Sequence, residues 1–183
     1  MPARGGSQPR CESGAVPTYA PMAVELETER LRLQPWAESD ADDLRALIAE
    51  RGDGTPAVER AREIIAAQHA AMATAGFTLL PIRRRVEGDV IGYCGLIVGR
   101  ATVEEPEIAY ELFRRVHGRG YATEAAGAVL AAATATGRTR LWSTVGSWNT
   151  ASLRVLEKLG FERDHVSIEE RAGEVVWLTR PLP

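Results

Sequence analysis

A chain of 183 residues is long enough for one domain with a sizeable core and too short for two ordinary enzyme domains. An apolar share of 45% and a charged share of 26% are ordinary for a folded domain, and a net charge of −3 excludes a general attraction to nucleic acid or an anionic membrane. Any anion bound here must be held by local geometry.

Residues 1–21 carry Pro2, Pro9, Pro17 and Pro21 among Gly5, Gly6 and Gly14, with little that could pack. They read as a disordered extension ahead of a domain at 22–183, with order beginning near Val24. Leu31, Leu33 and Pro35 alternate with Arg32 and Gln34, which predicts a short half-buried strand. Ser39 is placed to cap a helix whose first turn holds Asp40, Asp42 and Asp43, where the helix dipole favours negative charge. Gly52-Asp53-Gly54 ends that helix. Thr55-Pro56 then reads as the cap and first residue of a second helix, which stops at Gly76.

Phe77–Arg85 and Val90–Val98 are predicted strands around a turn at Gly88-Asp89, and Pro81 marks the first as an edge strand or a bulged one. In the next strand, Glu107–Phe113, Ile108, Tyr110 and Leu112 face one way and Glu107, Ala109 and Glu111 the other. A helix over Tyr121–Thr136 shows a stripe of small residues, suited to close approach to a sheet. Leu141–Val145 is a short strand, Asn149–Leu159 a helix stopped by Gly160, and two last strands flank Ala172-Gly173. The order β-α-α-β-β-β-α-β-α-β-β combines an antiparallel meander with one strand–helix–strand crossover. That predicts a three-layer α/β or α+β domain with a mixed sheet of about seven strands.

The uncharged run Ala125–Gly137 is too short to span a bilayer, which takes ~20 apolar residues. The N-terminus lacks the apolar core of a secretory signal, so a cytoplasmic protein is expected. Cys11 and Cys94 suggest no disulfide framework, and Cys94 reads as a small core residue. His69, His117 and His165 are scattered without ligand spacing, so no metal is expected.

Arg114-Arg115-Val116-His117-Gly118-Arg119-Gly120-Tyr121-Ala122-Thr123 joins a strand to a helix. Gly118 and Gly120 let the backbone bend so that successive amides converge on one anion, and the helix N-terminus and three arginines add positive charge. A diphosphate fits such a turn; a glycine-rich turn with solvated arginines is the plainer reading. The dinucleotide fingerprint is broken at Thr123, and no Gly-Lys-Ser/Thr of a nucleotide hydrolase occurs.

Arg115-x-x-Gly118-x-Gly120 resembles the Q/R-x-x-G-x-G/A motif of the GNAT superfamily of N-acetyltransferases. Gly118–Ala125, Leu26–Leu33 and Asn149-Thr150-Ala151-Ser152, continuing to Glu157–Phe161, are similar to its branch of ribosomal-protein N-terminal acetyltransferases. This resemblance spans nearly everything after residue 24. It implies a splayed central strand pair, Glu107–Phe113 against Leu141–Val145, with the pantetheine arm of acetyl-CoA in the gap. It also implies main-chain contacts to that arm from Leu112 and Phe113, and a diphosphate held by the amides of Val116, His117, Gly118, Arg119, Gly120, Tyr121 and Ala122, with Arg115 and Thr123 in the same turn.

Acyl transfer to an amine needs a proton acceptor, a donor for the thioester oxygen and support for the leaving thiolate. The resemblance makes Ser152 the group that protonates or hydrogen-bonds the leaving sulfur, and gives Asn149 a contact to the cofactor arm besides its role as helix cap. Glu107 or Glu111 is the candidate base acting through water, although either could be a salt-bridged surface carboxylate. Some relatives carry a glutamate at the position of Thr144 instead. His117 is expected to pack against the cofactor or the helix. The acceptor class is a small-molecule or peptide amine, and a homodimer is one assembly the resemblance suggests. A non-catalytic acyl-CoA-binding domain is the competing reading.

Overall fold

The computed structural model describes residues 19–183. The extension expected over 1–21 therefore lies outside the described residues except at its end, and that end is packed. Ala20 donates to Thr136 O at 3.0 Å, Met22 donates to Gly76 O at 2.7 Å, and the Met22 side chain is buried. Packing thus begins ahead of Val24. Its anchor is Arg138, 2% exposed, which donates to the carbonyls of Val103 (3.0 Å) and Ala75 (3.3 Å) and lies near the rings of Tyr19 and Phe77. Burial pushes this guanidinium below its ordinary pKa.

Eight strands and four α-helices follow in the expected order: β1 Leu26–Glu27, β2 Leu31–Leu33, α1 Ala41–Ala49, α2 Val58–Ala75, β3 Leu79–Arg84, β4 Val90–Ile97, β5 Glu107–Leu112, α3 Tyr121–Thr134, β6 Arg140–Gly146, α4 Thr150–Lys158, β7 Glu162–Glu169 and β8 Gly173–Pro181. The strand beyond the seven expected is β1, too short to leave a periodic signal. All eight form one sheet in the order β1-β2-β3-β4-β5-β6-β8-β7, antiparallel everywhere except between β5 and β6.

Two helix starts differ from the sequence reading. Asp40 rather than Ser39 stands at the head of α1. Its carboxylate accepts from Ala37 N–H at 3.0 Å and pairs with Arg83 on β3, a long-range partner that draws it into the interior. The second helix begins at Val58 behind Ala57 rather than at Pro56. Pro81 lies in an interior strand, but β2 stops at the Leu33–Ile82 pair, so Pro81 has no neighbour on that side, and the register shifts just beyond it.

The sheet is covered on both faces. Trp36, Leu44, Ala61 and Ile65 pack α1 and α2 together and onto Tyr93 of β4. On the other face Ala125, Ala126, Val129 and Ala133 of α3 are buried with Ile91, Leu96 and Ile108. Alanines at this contact bring α3 close to the sheet, and each fully buried Leu or Ile beneath contributes about 2 kcal/mol of hydrophobic stabilisation. α3 is thereby fixed with its N-terminus at the end of β5. Among the described residues no helix is long and apolar enough to cross a membrane.

Candidate active site

β5 and β6 pair at a single point, Glu107 with Trp142, and then part. The gap between them is a cleft of about 270 Å³ lined by Glu107, Tyr110, Ser143, Thr144, Asn149 and Ser152 among others. Its β5 wall has unpaired main chain. Phe113 N–H donates to Ile91 O on β4, and Pro106 O accepts from Trp142 N–H on β6. By strand alternation the N–H and C=O groups of Tyr110 and Leu112 then face the cleft, where β6 no longer meets them. Phe113 is a correction to the expected set: its amide belongs to β4, and its carbonyl accepts from Val116 N–H at 3.1 Å. The Leu112 carbonyl accepts from His117 Nε2 at 2.9 Å, which leaves its amide to the cleft.

The turn at the end of β5 starts with one 3-10 turn, Arg114–Val116. There the amides of Val116 and His117 donate to Phe113 O and Arg114 O, which removes them from the expected anion donors. From Gly118 to Thr123 no amide has a protein acceptor among the described residues. Gly118 (φ +73°) and Gly120 (φ +80°) take left-handed conformations that only glycine adopts without strain, and Gly120 leads directly into α3. The result is a run of bare N–H groups at the positive end of a 14-residue helix.

The three arginines divide. Arg114 donates to Glu50 O at 2.7 Å, and Arg115 donates to Asp89 Oδ2 (3.1 Å) and Val90 O (3.2 Å) while lying over the Phe113 ring. Arg84 and then Arg115 hold the Asp89 carboxyl below its ordinary range. Arg119 is exposed and has no side-chain partner among the described residues. Arg115 thus braces the turn, and Arg119 is the cation left for a ligand.

Glu107 is brought into the cleft and Glu111 is not. Glu107 is 3% exposed; Oε2 accepts from Thr144 Oγ1 at 2.7 Å and Oε1 from the Arg100 amide. Among the described residues no cation forms a salt bridge with this carboxylate, and both oxygens keep lone pairs for another proton. Glu111 is held by the Arg51 guanidinium and by Tyr93 O–H (2.8 Å), as a structural ion pair. Burial, and then the Glu111 charge, push the Tyr93 phenol upward.

Asn149 caps α4 as expected, its side chain accepting from Ser152 N–H at 3.1 Å. Tyr110 O–H donates to Ser152 O at 3.1 Å. The Ser152 backbone is pinned from both sides, while its half-buried hydroxyl lines the cleft with no protein partner among the described residues. Sequence reasoning passed over Tyr110 and Arg100. The phase of β5 does place Tyr110 opposite Glu107, but nothing in the sequence signals Arg100, whose side chain spans Thr144 (3.0 Å) and Glu169 (2.7 Å). Cys94 is fully buried, and burial pushes its thiol up, away from nucleophilic use.

Fold and site together define a mixed α/β domain that can hold an elongated, anionic ligand between two parting strands. Residues 30–162, well over half the chain, match the family model described as acetyltransferase (GNAT) domain, and the chain belongs to the GNAT acetyltransferases. A putative GNAT-family acetyltransferase from Bordetella pertussis is similar over 85% of this chain and 98% of its own, with 25% identity and a TM-score of 0.75. A putative ribosomal-protein-serine acetyltransferase from Vibrio cholerae shares the fold at 17% identity, over 89% of this chain and 99% of its own, with a TM-score of 0.73. So does yncA, a putative acetyltransferase from Salmonella typhimurium solved with its cofactor acetyl-CoA, at 16% identity, over 84% and 94%, with a TM-score of 0.69. A search of curated proteins by sequence finds no match.

Proposed function

We propose that this protein transfers the acetyl group of acetyl-CoA to a primary amine, on a peptide N-terminus or a small molecule, in one direct step. The observation that carries the reading is the run of acceptor-free amides from Gly118 to Thr123 at the end of a cleft that also holds Glu107 and Ser152. The amides and Arg119 suit a diphosphate, and the open β5 edge at Tyr110 and Leu112 suits an amide-bearing arm. Acetyl-CoA carries both, and the Salmonella relative of the same fold was solved with it.

The chain's own groups then have definite tasks. Glu107 takes the proton of the attacking ammonium, directly or through one water, and so frees the nitrogen lone pair. That nitrogen forms a C–N bond at the thioester carbon as the C–S bond breaks, and its remaining extra proton passes to the departing thiolate, so that the products are the neutral amide and the CoA thiol. The Ser152 hydroxyl donates to the departing sulfur, and its pinned backbone holds it there at little reorganisation cost. Direct transfer is favoured over an acyl-enzyme because Cys94 is sealed in the core and, among the described residues, no base lies within hydrogen-bonding distance of the Ser152 hydroxyl.

The test is thiol release from acetyl-CoA with a panel of primary amines and short peptides, followed by mass analysis of the acceptor. Turnover with an acetylated amine supports the reading. Calorimetric binding of CoA without turnover across the panel would instead support the non-catalytic acyl-CoA-binding domain.

A further inference from the structure

Two sequence segments far apart in the chain, Thr28–Arg30 and Arg119–Glu124, meet at one place. Glu124 sits in the first turn of α3 with its side chain 17% exposed. Oε1 accepts from the Thr28 hydroxyl at 2.5 Å and from the Arg30 amide at 2.9 Å. Oε2 accepts from Arg30 Nε at 2.7 Å and makes an ion-pair contact with Nη2 at 2.6 Å, a two-nitrogen fork that only arginine offers. The same guanidinium donates through Nη1 to Arg119 O at 3.1 Å and lies over the Tyr121 ring at 4.6 Å. Its Nη2 is also the nearest atom, at 3.5 Å, to where a Gly120 side chain would begin. One side chain from the β1–β2 hairpin therefore contacts Arg119 and Tyr121, stands beside Gly120 between them, and is fastened to the helix behind the turn.

Two consequences follow from elementary geometry and charge. A trans peptide sets C=O of one residue opposite N–H of the next. Holding Arg119 O toward Arg30 therefore turns the Gly120 N–H away from Arg30, out of the turn. A free carboxylate in the first turn of α3 would also repel a diphosphate at that helix N-terminus. Three hydrogen bonds, two of them from Arg30, and the Arg30 ion pair compensate that charge. Burial alone would push the Glu124 carboxyl up, but the hydrogen bonds from Thr28 and Arg30 together outweigh it and hold the carboxyl below its ordinary range.

We propose that Arg30 and Glu124 are positioning residues for the acyl donor: they orient the Gly120 peptide and mask a competing negative charge without touching the ligand. This rests on the assignment of the Gly118–Thr123 amides to the CoA diphosphate. It explains why the Leu26–Leu33 and Gly118–Ala125 motifs occur in one chain: each supplies half of a single clamp.

The test compares Arg30→Gln, Arg30→Lys and Glu124→Gln with the unaltered protein and with Arg32→Gln. Arg32 belongs to the same hairpin but pairs with Glu27 at 2.8 Å and does not reach the turn, so its loss reports hairpin damage alone. CoA affinity by calorimetry, KM and kcat for acetyl-CoA, melting temperature and the amide resonance of Gly120 are measured for each. Losing the clamp should raise the CoA Kd and the acetyl-CoA KM by ~10-fold, leave kcat within about twofold and move the Gly120 resonance before any ligand is added. Arg30→Lys should rescue poorly, because an ammonium cannot reproduce the fork. Arg32→Gln should leave CoA affinity unchanged. A fall in melting temperature at unchanged CoA affinity and unchanged Gly120 resonance would overturn the proposal. Should Arg30→Gln fail to fold, the near-isosteric Glu124→Gln decides through the Gly120 resonance, which must move when the fork is loosened, because this variant also removes the charge that Arg30 masks. Failure of the unaltered protein to bind CoA would sink the parent assignment and this proposal together, an outcome recognisable because it needs no variant.

Discussion

Thr144 donates a hydrogen bond to Glu107 Oε2 at 2.7 Å, a side-chain link from β6 to β5 just beyond the one point where their main chains pair. The Arg100 amide holds the other oxygen, so the carboxylate is fixed in the cleft while carrying no ion-pair partner among the described residues. Glu107→Gln keeps the shape and one acceptor but removes the proton acceptor. It should lower kcat by about 10²–10⁴-fold, the usual worth of general-base catalysis, and leave CoA affinity unchanged. Steady-state thiol release and calorimetry check this; more than half the original rate in the variant would exclude proton transfer by Glu107.

Ser152→Ala should depress kcat by roughly tenfold or more with little change in the KM for acetyl-CoA, since the hydroxyl acts only as sulfur leaves. The variant is a clean probe, because both main-chain contacts of residue 152 survive: its N–H to the Asn149 side chain and its C=O from Tyr110 O–H. An undiminished rate would leave the leaving thiolate to water or another donor.

What the sequence made legible was local. Gly118 and Gly120 were readable as points where the backbone bends before a helix, Asn149 as a cap and Gly160 as a stop, because each is decided within a few residues. The illegible parts were set by partners distant in sequence. Glu107 and Glu111 share a strand face, yet Glu111 meets Arg51 from the end of α1 and Glu107 meets Thr144 from β6. Alternation along one strand cannot tell such environments apart. Asp40 displaced Ser39 at the head of α1 for the same reason, through Arg83 on β3. The amides of Val116 and His117 were lost to a 3-10 turn that the residue pattern does not announce.

Gly118 and Gly120 should respond differently to size and to charge. No heavy atom lies within 4 Å of a Cβ added at Gly118, so Gly118→Ala meets only the left-handed backbone penalty of roughly 1 kcal/mol. Its melting temperature should fall by a few degrees. Gly118→Asp carries the same backbone cost and adds a negative charge beside the bare amides, so it should abolish measurable CoA binding in a protein that still folds. At Gly120 the Arg30 guanidinium stands 3.5 Å from the added Cβ, so Gly120→Asp should also disturb the clamp and lose more stability than Gly118→Asp. Thermal melts paired with CoA calorimetry separate the two effects. Equal CoA affinity in Gly118→Ala and Gly118→Asp would show that the diphosphate does not bind at this turn.

Acid should release the Glu124 clamp, and the direction is fixed by its titration. The carboxyl is held below its ordinary value of 4.5, chiefly by donors from Thr28 and Arg30 that overcome the effect of burial. A depressed folded pKa means that the unfolded chain binds the proton more readily. The stabilisation is therefore complete above the ordinary value, and is lost as pH falls from there through the folded value. Glu124→Gln imitates the protonated state and cannot titrate. Denaturant midpoints should show the variant less stable than the unaltered protein at pH 7, with the gap closing below about pH 4.5. A gap that stayed constant into acid would mean that Glu124 contributes through shape alone and that its charge is not part of the clamp.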